Sequence, residues 1–543
     1  MGGRRVLCSG LVAGALVAGC TGAEAVKGVE SEEPPKEHCS TRAPDGQPSF
    51  RSCIGLAPLD AVDLLFVVDD GPLAAPLQAR LADALPAFLD AVAQLQPQVD
   101  LRIGFTTAHD GNPACETRPG SRGALHLASC RQHPEDFVDA DGTDHFEQLC
   151  AARCGLDDIA AEPSPTLLDP EAMPRPWLDL GPGSNLPTGV DPAEALACAA
   201  MLGTGGCPLT APLASAAQSI QRHGTADPSA GFWRPTSAPI IAVVSGSHEC
   251  SVGDDGATAF DPEGDRSLWT DPEGVAATPA VCWNAGVECI GDACTAVDKG
   301  ANGGAAAPDA AILEPIDRLL DAFDRLAQAR QQAIPDIDVT VALLTGVPEG
   351  WSPGEALMVA DAPDPQTARD LGVAPACHID ETPLVPPVRL LALAEAVDRP
   401  GAVDVSVASA CTDDYGPALA GLVEAIGAQV RPLCMPGCVA DTDDADGLQV
   451  DCTLEASVPM QDGTVDRHAL LPCVRDSAGT VDVPPGSGCW DAITGAQLHP
   501  TCTEIGLNLE IRLRWDGPRP PSMSIHPQCE LSDEKSRDCP NLP

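Results

Sequence analysis

The chain has 543 residues, with 79 Asp and Glu against 31 Lys and Arg, a formal charge of -48 at pH 7. That surplus excludes nucleic acid as a main partner, because affinity for a phosphate backbone rests on basic contacts. Hydrophobic residues make up 44%, which is enough for real cores and excludes a disordered acidic chain, whereas aromatics at 3% leave stacking platforms for bases or sugars poorly supplied.

The first residues set the compartment. Arg4 and Arg5 precede an apolar run from Leu11 to Ala18, and Val17-Ala-Gly-Cys20 follows, so residues 1–19 read as a secretory signal peptide too short to span a bilayer. Cysteine after Ala-Gly resembles a bacterial lipobox, which implies cleavage before Cys20 and lipidation of its thiol; the alternative is an ordinary signal peptide ending in a chance cysteine. Thr21 stands where an aspartate signals inner-membrane retention, so the outer membrane is the expected location. No later stretch holds about 18 uninterrupted apolar residues, and the lipid is then the expected membrane attachment. Residues 20–57, with Glu30-Ser-Glu-Glu-Pro-Pro-Lys, read as a lipidated tether.

Residues 58–430 alternate strand and helix patterns. Val62-Asp-Leu-Leu-Phe-Val-Val-Asp69 is a continuous apolar run, as in a strand buried on both faces. Leu77, Leu81, Leu85, Phe88, Val92 and Leu95 then recur at helical spacing, with a kink expected at Pro86. Strands follow over 99–107, 239–245, 337–345 and 403–408, and helices over 212–221, 312–331, 388–396 and 415–426. The predicted fold is therefore α/β, doubly wound around a mainly parallel sheet of five strands. Two stretches interrupt the alternation, near 108–190 and 248–310, and read as disulfide-rich insertions at the strand ends. From 431 the pattern changes to eight cysteines in the last 113 residues with strand-like alternation over Leu507–Trp515, so 431–543 reads as a small Cys-rich β module.

Of 24 cysteines, Cys8 leaves with the signal and Cys20 takes lipid, so 22 remain, an even number in an exported chain. Cys39 and Cys53 form one regional set, twelve cysteines from Cys115 to Cys411 a second, and eight from Cys434 to Cys539 a third. Structural disulfides closed within each region are expected. The close pairs Cys150/Cys154, Cys289/Cys294 and Cys434/Cys438 lack the paired CxxC spacing of a zinc knuckle.

The run Val62 to Asp70, the helix after it, Val99-Asp-Leu-Arg-Ile-Gly-Phe-Thr-Thr107, Leu202-Gly-Thr-Gly-Gly-Cys-Pro-Leu209 and Ile241-Ala-Val-Val-Ser-Gly-Ser-His-Glu-Cys250 together resemble a von Willebrand factor A domain. The likeness is greatest to its cysteine-rich lipoprotein branch in myxobacteria and similar large-genome proteobacteria. The resemblance implies a metal-ion-dependent adhesion site, with an Asp-x-Ser-x-Ser loop, a threonine and a further aspartate around Mg²⁺, open to an acidic group on a partner. Asp69 keeps the first aspartate and Thr204 the threonine, but Gly71 and Leu73 replace the serines and Gly246 the last aspartate. The expectation is a vestigial loop in which Asp69 caps the following helix, with Mg²⁺ binding reserved for a site rebuilt through Asp70, Ser245 or Ser247. No resident cofactor is expected, and recognition of an envelope or extracellular protein is expected to be independent of metal.

Catalytic signatures are missing: His248-Glu249 is not followed by a second histidine at Val252, and neither a G-x-S-x-G elbow nor a phosphate-binding G-x-x-x-x-G-K-[ST] loop occurs. His109 with Asp110 at a strand end reads as a solvated loop before a catalytic pair. The leading reading is a lipid-anchored, non-enzymatic interaction or adhesion-type protein of the cell envelope. The alternatives are an envelope hydrolase using Glu249 with Asp254 or Asp255, and an inert disulfide-stiffened surface scaffold.

Overall fold

The computed structural model describes residues 38–543 apart from 43–47, 53–55, 57–58, 116–119, 140, 182, 223–226, 292, 333, 335–336, 397–402, 443–446, 461–463, 476–480, 484–486, 516–518, 521–522 and 543. The signal peptide, Cys20, most of the tether and the side chains of Cys39 and Cys53 lie outside the described residues.

The chain is mixed α/β around a mainly parallel central sheet. Its strands are β1 (Ala61–Val68), β2 (Asp100–Thr107), β3 (Trp177–Leu180), β4 (Ala238–Ser245), β5 (Val339–Thr345) and β6 (Val403–Ser409). They lie in the order β6-β5-β4-β1-β2-β3, parallel throughout except for β3, which runs antiparallel to β2. Every residue of β1 is buried because helices cover both faces of the sheet. Val62, Leu64, Phe66 and Val68 enter the core shared with helices α1 (Ala75–Val92), α2 (Pro192–Ala199) and α6 (Gly416–Gln429). Leu65 and Val67 enter the opposite core, formed with α3 (Pro212–Gln221), α4 (Ile316–Gln331) and α5 (Val388–Ala396). The period of two thus divides one apolar run between two layers, each buried side chain of this size contributing about 1.5–3 kcal/mol.

Two sequence expectations need correction. The 108–190 segment is not wholly an excursion, because it supplies β3 as a sixth strand. Four residues are too few to register as a period, and the strand is held by side chains distant in sequence. Asp179 pairs with Arg102 at 2.6 Å, and the Asn185 amide accepts from Asp179 N at 2.8 Å and donates to Trp177 O at 2.8 Å. Helix α1 continues through Pro86 as one element. Helix α4 starts at Ile316 and not at 312, directly after Pro315, whose fixed φ suits a helix entry.

Ten disulfides are present among the described residues, each closed within the region expected: Cys115–Cys207, Cys130–Cys150, Cys154–Cys198, Cys250–Cys282, Cys289–Cys294 and Cys377–Cys411 in the α/β part, then Cys434–Cys502, Cys438–Cys539, Cys452–Cys529 and Cys473–Cys489. The last four pin a second six-stranded sheet made of β7 (Leu433–Cys434), β8 (Cys452–Pro459), β9 (Val465–Pro472), β10 (Gly488–Ile493), β11 (Glu510–Trp515) and β12 (Ser524–Cys529). Its order is β7-β11-β10-β9-β8-β12, over a core of Met435, Leu454, Trp490, Ile511 and Ile525. Arg519 reaches from this part to Asp60, immediately before β1, at 2.6 Å.

At the amino end of the central sheet, the fully buried Asp63 accepts from Arg234 Nε at 2.7 Å, from Arg234 N at 2.5 Å and from the Ser237 hydroxyl. Arg234 also pairs with Asp100 at 2.9 Å. Removing one partner of such a pair strands the other in low dielectric. Asp63→Ala is expected to lower unfolding free energy by about 3–5 kcal/mol, measured by denaturant melts with the disulfides intact. A loss below about 1 kcal/mol would show that the network is solvated.

Candidate functional site

In a doubly wound sheet, ligands meet the chain at the carboxyl ends of the strands, where the winding direction reverses. Here the reversal falls between β1 and β4, with Val68 opposite Val244 in register. Asp69 and Ser245, the next residues of the two strands, therefore face one another. Asp69 N donates to Val244 O at 2.9 Å, and the Ser245 hydroxyl donates to Asp69 Oδ2 at 2.9 Å. Asp69 Oδ1 accepts from Gly71 N at 3.0 Å. Asp69 therefore does not cap α1. The helix is preceded by Ala74, with no side-chain cap, because both carboxylate oxygens are already engaged inside the turn.

Thr204 is brought to the same place by a residue that the sequence reading did not single out. Gln78 on α1 is fully buried. Its amide nitrogen donates to Asp69 O at 2.8 Å and to Gly203 O at 2.6 Å, while its oxygen accepts from Leu202 N at 3.0 Å and Gly203 N at 3.2 Å. The signal was legible, since Gln78 is a polar side chain on the apolar stripe that includes Leu81 and Leu85. Gly203 has φ +107°, and a side chain there would run into the Asp136 backbone, whose carbonyl accepts from Thr204 N at 2.8 Å and Gly205 N at 2.7 Å. The Thr204 hydroxyl is fully buried and has no hydrogen-bond partner among the described residues.

These residues do not fit octahedral Mg²⁺. Neither Gly71 nor Leu73 offers a hydroxyl, and a Cβ on Gly71 would stand 3.2 Å from Asp69 Oδ1 and 3.3 Å from Cys207 O. A side chain at Gly246 would collide with Leu384. Ser245 spends its proton on Asp69, and Ser247 contributes its backbone N–H to Ser245 Oγ at 3.3 Å. In place of an open coordination position there is a small apolar hollow of about 80 Å³, lined by Pro72, Leu73, Pro208, Leu371 and Val385 with Gly246 and His248. Leu73, at its edge, is exposed.

Asp70 leaves this group and lines a second cavity, of about 570 Å³, together with Thr107, His109, His126, His133, Glu135 and Asp136. Burial drives the Asp70 carboxyl well above the usual carboxylate range, and the nearby charges of Asp69 and Asp136 add to the effect. His126 is shifted down, first by burial and then by His133.

The three carboxylates named for a hydrolase stand in different surroundings. Glu249 is buried beneath Arg389 at 3.4 Å, and it accepts from the Ser251 hydroxyl. Asp254 and Asp255 are exposed, and Asp254 interacts with Glu314 and Arg318. His109 is buried against the Asp70 cavity, so the solvated-loop reading is corrected there. Its neighbour Asp110 is pushed up to about 7 by burial and then by the charge of Glu249.

No protein-family model matches the chain, and no curated protein matches it in sequence. Among solved structures it is similar, at 9% identity and a TM-score of 0.26, to the pilus adhesin SpaC from Lactobacillus rhamnosus GG in its open conformation, with 89% of this chain and 40% of that one aligned. A second similarity, at 9% identity and a TM-score of 0.25, is to the human COPII-coat protein Sec24c, with 92% of this chain and 44% of that one aligned. The chain thus spans less than half of either structure. At these scores neither similarity bears on fold or function.

Asp110 supplies a pH prediction. An acid whose folded pKa lies above its unfolded value of 3.8 holds its proton longer in the native state, so its stabilisation is complete below that value and is lost as pH rises through about 7. Asp110→Asn removes this loss. The variant should melt at the temperature of the parent near pH 4 and above it at pH 8. Equal melting at both pH values would show that Asp110 is ionised at no cost in the folded chain.

Proposed function

We propose that this chain is a lipid-anchored protein of the cell envelope, held through Cys20, with a von Willebrand factor A-like α/β domain that recognises another protein without metal and without catalysis. The lipobox-like Val17-Ala-Gly-Cys20 supports the anchor, and the disulfides fit an oxidising compartment. The strand order, with its reversal between β1 and β4 and one antiparallel edge, is compatible with the resemblance read from sequence. One observation carries the recognition reading. At the reversal point, where ligands meet such sheets, oxygen ligands give way to Gly71, Leu73 and Gly246, and an apolar hollow takes their place beside an exposed leucine. Apolar contact at that position suits a protein surface better than an ion. The region 58–430 carries recognition, and 431–543 is a disulfide-bonded companion that braces its base through Arg519 and Asp60.

Capture from envelope extract by the immobilised, oxidised protein tests the reading. A specific partner is expected to be retained in EDTA and lost with Leu73→Asp, which places a charge at the rim of the hollow while Asp69, Gln78 and Ser245 stay intact. Capture that disappears in EDTA, or that Leu73→Asp leaves unchanged, would contradict metal-independent recognition at this surface.

A further inference from the structure

Asp70 is the acidic residue of the β1 turn that the fold satisfies only in part, with Thr107 beside it. It is only 8% exposed, and its Oδ1 has no hydrogen-bond partner among the described residues. Asp69 beside it is satisfied by Gly71 N–H and the Ser245 hydroxyl. The backbone is shaped around the Asp70 side chain. Gly206 N donates to Asp70 O at 2.8 Å, and any Cβ on Gly206 would collide with the carboxylate. Burying an acceptor without a donor is costly, so a donor arriving from outside gains what the fold forgoes.

The cavity that Asp70 faces has the size of a small-ligand site. Its lining includes Glu135, Asp136, His109, His126, His133, Thr107 and Ser121, and no described lysine or arginine lines it. The Asp136 side chain is more than half exposed and stands 3.2 Å from His133 Nδ1, extending the acidic surface outward from Asp70. A bare metal ion suits this arrangement poorly. Among the described residues, the only sets of three His, Cys, Asp or Glu ligand atoms within 4.8 Å of one another are His109/Cys115/Cys207 and Cys130/Cys150/Cys154, and all of those cysteines are in disulfides. Acceptors spread around a roomy cavity instead match a cation whose N–H donors are themselves spread out.

We propose that this cavity binds a ligand bearing a guanidinium or primary ammonium group, seated against the buried Asp70 carboxylate with Asp136 nearer its mouth. The inference rests on the recognition reading above and names the chemistry that the carboxyl end of the sheet accepts. A free amine and an arginine or lysine side chain of a partner share that chemistry. Burial and the charges of Asp69 and Asp136 raise the Asp70 carboxyl, with Glu135 and the three histidines also lining the space. A bound cation opposes that shift, because an opposite charge close to a carboxylate favours its ionised form.

Isothermal titration of agmatine, of spermidine, and of a short arginine peptide with its citrulline counterpart into the oxidised full-length protein tests the proposal. The expected result is binding that is at least about tenfold weaker in Asp70→Asn. Agmatine or spermidine binding identifies a free amine as sufficient. Binding of the arginine peptide alone assigns the cation to a partner's side chain. Asp70→Asn keeps the size and shape of the side chain and should melt no lower than the parent, so its loss of binding is not a loss of fold. Equal binding by Asp70→Asn, binding of the citrulline peptide as tight as the arginine one, or binding of Mn²⁺ in place of every amine would overturn the proposal. Partner capture that persists in EDTA under any of those outcomes would leave the recognition reading standing while this inference failed.

Discussion

A primary amide has two donors and two acceptor positions, and Gln78 uses all four inside the protein. Its partners are the carbonyl of Asp69 and the backbone of Leu202 and Gly203, which belong to loops more than a hundred residues apart in the chain. No other described side chain bonds both loops. Each partner is a buried backbone group that would otherwise need water, so the helix, the turn after β1 and the glycine loop are fixed as one body. The opposed positions of Asp69 and Ser245 and the outward course of Asp70 both follow from that fixation.

The two ends of β1 show how an acidic chain places its few cations. At the amino end Asp63 is buried against Arg234, with Asp100 and Asp179 paired to Arg234 and Arg102, and Arg519 covering Asp60. At the carboxyl end Asp69 is stabilised by neutral donors alone, and Asp70 by fewer than its lone pairs could accept. A fold selected only for stability would replace a buried, partly satisfied carboxylate with asparagine, which keeps the shape and removes the charge. Disulfides offset the strain of such an end. Cys115–Cys207 ties the segment after β2 to the glycine loop, and Cys250–Cys282 anchors the segment after β4. A disulfide adds about 2–4 kcal/mol by restricting the unfolded chain, which is comparable with the penalty of the acid it encloses.

Much of the central sheet was legible because buried parallel strands are written as unbroken apolar runs and their helices as stripes. Helices α3 and α5 match their predicted limits residue for residue. The disulfide regions were legible from even counts alone. The strand Trp177–Leu180 was not, because its place is set by Arg102 and Asn185, which no local pattern connects to it. Helix α2 escaped for a similar reason, being eight residues rich in alanine between two irregular stretches.

The site was legible in part. Asp69, Thr204 and Ser245 could be placed because they end strands or follow a glycine loop. Asp70 could be named but not oriented, since whether it turns toward Ser245 or away depends on Gly206, whose lack of a side chain leaves room for the carboxylate. His126, His133 and Asp136 come from the irregular insertion and carry no period at all. Their approach to Asp70 is a consequence of the backbone of Asp136 bonding Thr204 and Gly205. The chemistry at the carboxyl end of this sheet is thus determined by main-chain contacts between loops, which sequence patterns do not encode, and by one glutamine, whose misfit on an apolar stripe they do.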